Sequence, residues 1–301
     1  MRKIFTAILM FAACVSYAQK VDYGQRYEML VSKFGPAGFG VETVLDNWAK
    51  ADSADIKLLT ARFKYYFAKA QTEQVVKKPQ RKYLGMDPLI TLKDSTGTDV
   101  YYYQEAMFDD EIYGQALKAA DKAILMYPDY LDFRFIKANA YIAYEKESPD
   151  MALAYLLALA DENASRRKLW RFDGKAADAR FFEDAMQEYC ASFYAIGGEK
   201  ALAAFLKLSE KMNALHPDNM AFISNIGSYY MTAVKDYKTA LKYYTKVLKK
   251  KPDDYTAIKN SMIAARKLNN TKLEKKYLQM IVKYGPENEK LQAQARLKTI
   301  S

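Results

Sequence analysis

The chain has 301 residues and a formal net charge of +10, because 46 lysine and arginine residues outnumber 36 aspartate and glutamate residues. One histidine and two cysteines are too few for a disulfide framework, and they leave a typical zinc site without enough ligands. A chain of this length can bury a large core, either as one elongated array or as two domains.

The first eighteen residues have the pattern of a secretory signal peptide. Arg2 and Lys3 give a positive start, residues 4–13 form an apolar run, and residues 16–18 precede a cleavage site. The apolar run is too short to span a bilayer. We therefore expect cleavage after Ala18 and export, with the mature protein in the periplasm or on the surface of a bacterium.

Cys14 keeps a second outcome open. Residues 11–14 resemble the lipobox of bacterial lipoproteins, in which cysteine becomes the acylated first residue, although Phe11 stands where leucine is usual. The alternatives are a free exported protein and an outer-membrane assembly lipoprotein anchored at Cys14.

Residues 19–78 form the first predicted domain, a helical hairpin. Two helices are expected, over residues 41–51 and 54–71, because large apolar side chains recur there at helical spacing. Residues 79–108 are predicted to form a β-hairpin or an ordered loop. They hold two segments rich in strand formers, with a turn-forming segment between them at residues 94–97.

From residue 109 to residue 301 the pattern is helical almost without interruption. The predicted helices cover residues 112–127, 132–144, 150–161, 176–196, 199–215, 219–233, 238–250, 255–268, 272–284 and 288–300. Proline follows several of them, because it cannot continue the hydrogen-bond ladder of a helix.

A repeated spacing runs through this array. The offsets 0, 4, 7 and 12 are filled by Ala240, Tyr244, Val247 and Pro252, by Ala116, Ala120, Ala123 and Pro128, and by Glu274, Leu278, Ile281 and Pro286. The first three offsets recur in Ala152, Leu156 and Leu159, and in Ala201, Phe205 and Leu208. Pro252 and Pro286 lie 34 residues apart. A period of this size predicts stacked helical hairpins, which present an extended surface for binding other proteins.

On these residues the chain resembles the tetratricopeptide repeat (TPR) family, in its exported bacterial form. In that family two antiparallel helices form each unit, and small residues allow them to approach closely. The best match adds Ile226, Gly227 and Tyr230 in the first helix of one unit, and the resemblance covers roughly residues 109–290. It implies an all-α, right-handed α-solenoid of TPR hairpins with a small N-terminal β-hairpin or loop insertion. A generic helical bundle with the same period is the alternative.

The resemblance also implies which residues face a partner, because in this family the first helix of each unit lines a concave groove. The corresponding positions are Asp132, Phe135 and Asn139 in one unit, Ser224, Asn225, Ser228 and Met231 in the next clear one, and Lys259, Asn260 and Arg266 in the last. Some relatives clamp a C-terminal carboxylate with lysine and asparagine from such helices. Asn139, Asn225 and Lys259 resemble that clamp in part, but Phe135 stands where its first lysine belongs.

A second candidate site combines positive charge with an aromatic ring in a connector between helices. Its residues are Arg166, Arg167, Trp170 and Arg171. Such a group can bind an acidic peptide, a phosphate or a glycan, which makes a glycan- or nutrient-capture module an alternative function. In the other interpretation, Trp170 seals the helix junction while the cations stay in solvent.

Charge is distributed unevenly along the chain. Residues 99–162 carry 13 acidic and 5 basic side chains, whereas residues 235–301 carry 17 basic and 6 acidic ones. Such a dipole can steer an oppositely charged partner. The sequence contains no nucleic-acid-binding motif, so nucleic acid is not an expected partner.

The sequence also lacks the common catalytic motifs, including the serine nucleophile elbow, the P-loop and the dinucleotide fingerprint. Cys190 is expected to be a small buried apolar residue. We therefore expect a non-catalytic scaffold that needs no cofactor and holds a peptide or helix of another protein in its groove.

Overall fold

The computed structural model describes residues 21–300, so the predicted signal peptide and Cys14 lie outside the described residues. Within this range the chain forms thirteen α-helices, five strands and one π-helical turn. The helices are α1 (Tyr23–Phe34), α2 (Val41–Ala51), α3 (Ile56–Lys69), α4 (Asp110–Met126), α5 (Leu131–Glu145), α6 (Asp150–Ser165), α7 (Ala179–Ile196), α8 (Gly198–Leu215), α9 (Met220–Tyr229), α10 (Tyr237–Lys250), α11 (Tyr255–Lys267), α12 (Thr271–Tyr284) and α13 (Glu287–Thr299). The strands are β1 (Gln71–Lys78), β2 (Ile90–Lys93), β3 (Asp99–Phe108), β4 (Trp170–Phe172) and β5 (Lys175–Ala177), and the π-helical turn covers Tyr230–Val234.

Eight of these helices begin at an aspartate or asparagine whose side chain accepts a hydrogen bond from a backbone N–H of the first turn. Such a cap satisfies a donor that the helix itself leaves unpaired. The capping residues are Asp22, Asp55, Asp109, Asp178, Asn219, Asp236, Asp254 and Asn270.

Helices that follow each other in the chain are also neighbours in space. Each helix packs against the next from α3 to α6 and again from α7 to α13, and α6 packs against α8. The described part of the chain is therefore a helix-rich array of consecutive pairs, which is compatible with the predicted helical repeat.

One stripe of buried side chains recurs on all five even-numbered helices from α4 to α12. The stripe occupies the offsets 0, 4 and 7, and none of its fifteen side chains is more than 4% exposed. Its members are Ala116, Ala120 and Ala123, Ala152, Leu156 and Leu159, Ala201, Phe205 and Leu208, Ala240, Tyr244 and Val247, and Glu274, Leu278 and Ile281. The repeated spacing in the sequence is therefore the packing face of every second helix.

One close helix contact in this array involves a glycine. A Cβ added at Gly227 in α9 would lie 2.9 Å from Cε1 of Tyr244 in α10 and 3.2 Å from Cβ of Tyr243. The Tyr244 ring is fully buried, and its hydroxyl lies 3.1 Å from the hydroxyl of Ser228. The α9–α10 contact therefore requires that residue 227 has no side chain.

Glu274 places a carboxylate in the buried stripe of α12. Its Oε1 accepts hydrogen bonds from Arg266 Nε at 2.7 Å and from Arg296 Nε at 3.0 Å. Burial, the largest effect, raises the pKa of Glu274, but the two arginine hydrogen bonds bring the pKa below its ordinary value of 4.5. One buried charge therefore connects α11, α12 and α13.

The N-terminal part differs from the predicted helical hairpin, because residues 19–78 contain three helices and a strand. Helix α1 places Tyr27 against Trp48 of α2, with ring centroids 6.4 Å apart. Residues 71–78 form β1, which pairs antiparallel with β3 along its whole length, from Gln71↔Phe108 to Lys78↔Tyr101. This pairing joins segments that are distant in sequence, so local spacing does not reveal it.

Residues 79–108 were predicted to form a β-hairpin or an ordered loop, and the structure has a small sheet there. Strand β2 pairs antiparallel with β3, and the turn between them is held by the Asp94 side chain, which accepts hydrogen bonds from the backbone N–H groups of Thr96 and Thr98. Because β1 joins the other edge of β3, the sheet has three strands in the order β1-β3-β2.

The prediction of an all-α array after residue 109 is wrong between α6 and α7. Residues 170–177 form a second hairpin, β4–β5, whose turn residues Asp173 and Gly174 both have positive φ, at +48° and +71°. An Asp-Gly pair favours this kind of two-residue turn. Helix α7 consequently begins at Ala179, after its Asp178 cap, and not at the predicted residue 176.

Replacing Gly227 by alanine should destabilise the fold by roughly 1–3 kcal/mol, because the added methyl group overpacks the α9–α10 contact. Gly114 in α4 is the matched control, since a Cβ there meets nothing within 4 Å. Gly114→Ala should stabilise the chain by roughly 0.5–1 kcal/mol through helix propensity. Thermal unfolding followed by circular dichroism measures both, and a Gly227→Ala protein as stable as Gly114→Ala would contradict the packing.

Replacing Glu274 by glutamine should lower the stability at neutral pH by about 2 kcal/mol, because two charge-assisted hydrogen bonds lose their charge. The folded pKa of Glu274 is depressed, so its contribution is present above pH 4.5 and is lost as the pH falls through the folded pKa. The difference in melting temperature between wild type and variant should therefore shrink in acid. A constant difference across this pH range would show that the ion pairs contribute nothing.

Candidate functional site

A groove runs along helices α3, α5 and α7. It consists of two adjoining cavities of about 950 Å³ and 730 Å³, which share Thr60, Lys64 and Asp132 as lining residues. The larger cavity extends toward α1 and α2, and the smaller one toward α7. The three helices are the first members of the consecutive pairs α3–α4, α5–α6 and α7–α8. Corresponding faces of three successive pairs therefore build one surface.

Negative charge dominates the lining of this groove. The lining contains eight carboxylates and two ammonium groups, in a chain whose formal net charge is +10. The carboxylates belong to Asp22, Glu28, Asp52, Asp55, Asp132, Asp173, Asp184 and Glu188, and the ammonium groups to Lys57 and Lys64. Of these carboxylates only Asp184 forms an ion pair within the described residues, with Arg180 at 3.8 Å. The two cavities, called the acidic groove below, thus carry an excess of negative charge.

Aromatic rings line the smaller cavity. Phe172 packs against Phe181 with ring centroids 4.9 Å apart, and Phe135 lies 6.0 Å from Phe172 and 5.8 Å from Tyr189. The β4–β5 hairpin holds Phe172 at this position, where the side chain remains 36% exposed. Accessible rings beside carboxylates offer apolar contact area and attract the cationic end of a basic side chain.

Some of the carboxylates are fixed and others are accessible. Asp132 accepts a hydrogen bond from a backbone N–H in the β4–β5 turn at 3.1 Å, and Asp55 accepts one from Trp48 Nε1 at 3.1 Å. Asp184 and Glu188 follow each other at one-turn spacing on α7, and both are exposed. Asp132 and Asp55 therefore connect the hairpin and the N-terminal helices to the groove. Asp184 and Glu188 are accessible to a ligand.

The three groove residues predicted in α5 do lie in one cavity. Asp132, Phe135 and Asn139 all line the smaller cavity of the acidic groove, together with residues of α3 and α7. Asn139 is exposed, and Phe135 is half-buried against its aromatic neighbours. The structure therefore brings these three side chains to a common surface.

The predicted residues that follow lie farther along the array and line neither cavity of the acidic groove. They are Ser224, Asn225, Ser228 and Met231. Asn225 exchanges amide hydrogen bonds with Gln187 of α7, at 3.2 Å and 2.8 Å. The Ser228 hydroxyl donates to a backbone carbonyl one turn earlier and lies within hydrogen-bond distance of Tyr244. These contacts connect neighbouring helices to α9.

The predicted residues of α11 are also held by internal contacts. Lys259 forms an ion pair with Glu289 of α13 at 2.5 Å, and Arg266 donates to Glu274. The Asn260 side chain lies next to the hydroxyl of Tyr244. Asn139, Asn225 and Lys259, the residues that resemble a carboxylate clamp, therefore do not share a cavity.

The structure gives most of the predicted cationic cluster internal partners. Trp170 is only 3% exposed, and its Nε1 donates to Asn163 at 2.9 Å. The Arg166 guanidinium lies 3.5 Å above the Trp170 ring and pairs with Glu162 and Asp129.

The other cations of this cluster differ in their surroundings. Arg171 Nη2 donates to the carbonyl of Gly174 at 2.7 Å and lies over the ring of Tyr130. Arg167 is exposed and lines a small cavity next to Trp170. The buried tryptophan fits the interpretation in which it seals the helix junction.

The α7 residues that line the groove were not predicted from the sequence, although their spacing offers a signal. Phe181, Asp184 and Glu188 occupy offsets 0, 3 and 7, which is the spacing of one helix face. The β4–β5 hairpin inserts residues before α7 and shifts this helix out of phase with the repeat. Lys64 of α3 also lines the groove, and only the packing of α3 against the array reveals this.

Cys190 and His216, whose residue types often act in catalysis, both contact side chains of neighbouring residues. Cys190 is fully buried, the Ser209 hydroxyl lies 3.5 Å from its sulfur, and burial raises the pKa of its thiol to about 12. His216 Nδ1 lies 3.0 Å from a carboxylate oxygen of Glu183. Within residues 21–300 no group of three or more histidine, cysteine, aspartate or glutamate side chains is placed to hold a metal ion. None of the helices in this range combines the length and apolar content needed to cross a membrane.

Comparison with protein-family models and with curated proteins gave no match.

The thiol of Cys190 should resist alkylation in the folded protein, because reaction needs an accessible thiolate. Iodoacetamide at mildly alkaline pH, followed by peptide mass mapping, should leave Cys190 unmodified in buffer and fully modified in guanidinium chloride. Rapid modification of Cys190 in the native protein would place this helix at the surface.

Proposed function

We propose that the protein is a non-catalytic scaffold of the TPR type, which holds a basic segment of another protein in the acidic groove. The single observation that carries this proposal is the composition of the groove. Eight carboxylates and a group of accessible aromatic rings line a continuous surface of a chain that is otherwise positively charged. A ligand with lysine or arginine next to an aromatic or large aliphatic residue would complement both features.

The TPR assignment rests on the recurring stripe. Five helices bury the same three offsets, and each belongs to a consecutive pair. The close approach at Gly227, where a second helix presents Tyr244, agrees with the role of small residues in that family. In a TPR solenoid the first helices of the pairs line the concave side, and α3, α5 and α7 are the first helices of their consecutive pairs, which supports the assignment.

A binding role is supported by the shape of the groove as well. Its two cavities extend along three helices, so an extended peptide or a short helix could contact several pairs at once. Recognition by an aromatic surface surrounded by charge provides affinity through buried apolar area and orientation through ion pairs. Because exposed ion pairs are screened by salt, binding should weaken as ionic strength rises.

We also propose that the protein acts outside the cytoplasm. This part rests on the amino-acid sequence of residues 1–18, with its basic start, apolar run and small residues before Gln19. The partner would then be another protein of the bacterial envelope.

Peptides selected from a random phage-displayed library on the wild-type chain should be enriched in lysine or arginine next to Phe, Tyr or Leu. Fluorescence polarisation with a selected peptide then tests the groove. Asp184→Asn combined with Glu188→Gln should weaken binding roughly 3- to 10-fold, since each exposed ion pair contributes about 0.2–1 kcal/mol.

The matched control removes two carboxylates outside the groove, with Glu210→Gln and Asp253→Asn, which are both exposed. It makes the same change in net charge and should leave the affinity unchanged. Selected peptides without basic residues, or an equal loss of affinity in the control, would contradict the proposal.

A further inference from the structure

The outer face of α10 carries only positive charge. Its lysines Lys238, Lys242, Lys246 and Lys249 each stand two residues from a position of the buried stripe, which places them about 200° around the helix from it. All four are exposed, as is Lys250. The helix contains no aspartate or glutamate. Its solvent side is therefore a row of ammonium groups along more than two turns.

The same pattern recurs in α12, one repeat later. Lys272, Lys276 and Lys283 are exposed and occupy the positions that follow Lys238, Lys242 and Lys249 by 34 residues. The one acidic residue of α12, Glu274, is buried and bound by two arginines, so it does not offset this charge. The exposed lysines of α10 and α12 are called the lysine face below.

This pattern is not shared by every even-numbered helix. In α6 the equivalent positions hold Asp150, Ala154, Ala158 and Asp161, all of which are exposed. The solvent side of an even-numbered helix is therefore not positive by default. The positive balance of residues 235–301 in the sequence is concentrated on one face of two neighbouring repeat units, which both pack against α11.

The type of cation indicates the type of partner. Elsewhere in the described residues both arginine and lysine form close ion pairs, for example Arg62 with Asp46 at 2.8 Å and Lys146 with Glu105 at 2.8 Å. The lysine face contains no arginine and forms no ion pair within the described residues. Lysine is a hydrated point charge on a flexible stem, whereas arginine binds carboxylates in a fixed fork. A row of free lysines suits a diffuse, mobile layer of negative charge better than a single acidic site.

Tyrosines next to the lysines add a second feature of such surfaces. Lys246 lies over the ring of Tyr243 at 5.2 Å, and Lys283 lies over the ring of Tyr284 at 4.8 Å. Lysine stems that cover amphipathic rings can extend their ammonium groups toward a polar interface while the rings remain beneath them.

We propose that the lysine face binds the surface of an anionic lipid bilayer. The proposal is independent of the acidic groove, because no residue of α10 or α12 lines either of its cavities. It would hold the scaffold on a membrane by electrostatics, with the groove still open to a partner. The interaction needs no apolar insertion, so high salt should reverse it.

Flotation of the full chain with lipid vesicles tests this proposal. Vesicles of phosphatidylcholine mixed with phosphatidylglycerol should bind the protein at low salt and release it at about 1 M salt, where the Debye length is about 3 Å. Vesicles of phosphatidylcholine alone carry no net charge, so they measure any binding through the apolar N-terminal segment, residues 4–13. Lys238→Gln, Lys242→Gln and Lys276→Gln together should lower the partition coefficient roughly 100-fold, since each lysine near an anionic bilayer contributes roughly fivefold.

The matched control changes three exposed lysines elsewhere, with Lys33→Gln, Lys50→Gln and Lys200→Gln, and makes the same change in net charge. It should bind like the wild type within a few-fold. Equal loss in both triple variants, or no preference for anionic vesicles, would overturn the proposal. A third result would also overturn it: no vesicle binding, together with self-association at low salt that rises with protein concentration and is abolished in the lysine-face variant. The lysine face would then contact an acidic surface of a second copy.

Discussion

The burial of three side chains per helix, at offsets 0, 4 and 7, is the constraint on which the array depends. The first offset is alanine in four of the five helices, and each of these alanines is fully buried. Small residues at this offset let a neighbouring helix approach, and in every stripe helix except α4 the larger residues at the other two offsets fill the space on either side. Because the same face is used in every second helix, the array is compatible with a helical repeat of consecutive pairs.

A consequence of this construction is that each helix has one face committed to packing and one face free to vary. The free faces differ strongly in charge between the two ends of the chain. Carboxylates collect in the groove that α3, α5 and α7 line, and lysines collect on α10 and α12. A repeat array can thus carry two surfaces of opposite charge without placing either charge in its core. Glu274 is the exception, and two arginines neutralise it inside the fold.

The sequence predicted the parts of the fold that depend on local spacing. Helix α2 was predicted with its observed bounds, and the stripe residues of all five even-numbered helices were identified from their offsets. Helix α1, strand β1 and the β4–β5 hairpin were missed. β1 is stabilised by pairing with β3, about thirty residues away in the chain, and such pairing leaves no local period. The Asp173–Gly174 turn did leave a signal, but it lay next to a cluster that was interpreted as a ligand site.

The candidate site likewise contains residues that local spacing predicts and residues that only the packing reveals. Asp132, Phe135 and Asn139 were identified because they lie on a helix that is in phase with the repeat. Their partners on α7 were missed because the hairpin before α7 changes the phase. For Trp170 the sequence left two interpretations open, a ligand site and a sealed helix junction, and the burial of the ring fits the second. Which charges lie free and which are paired is a property of the tertiary structure.

Hydrogen–deuterium exchange of the full chain, with and without a basic peptide selected on it, tests the groove most directly. If consecutive helix pairs build a docking surface along α3, α5 and α7, the peptide should slow exchange in these helices and in the β4–β5 hairpin, and leave α10 and α12 unchanged. Protection confined to α9–α13, or spread evenly over the chain, would contradict that arrangement.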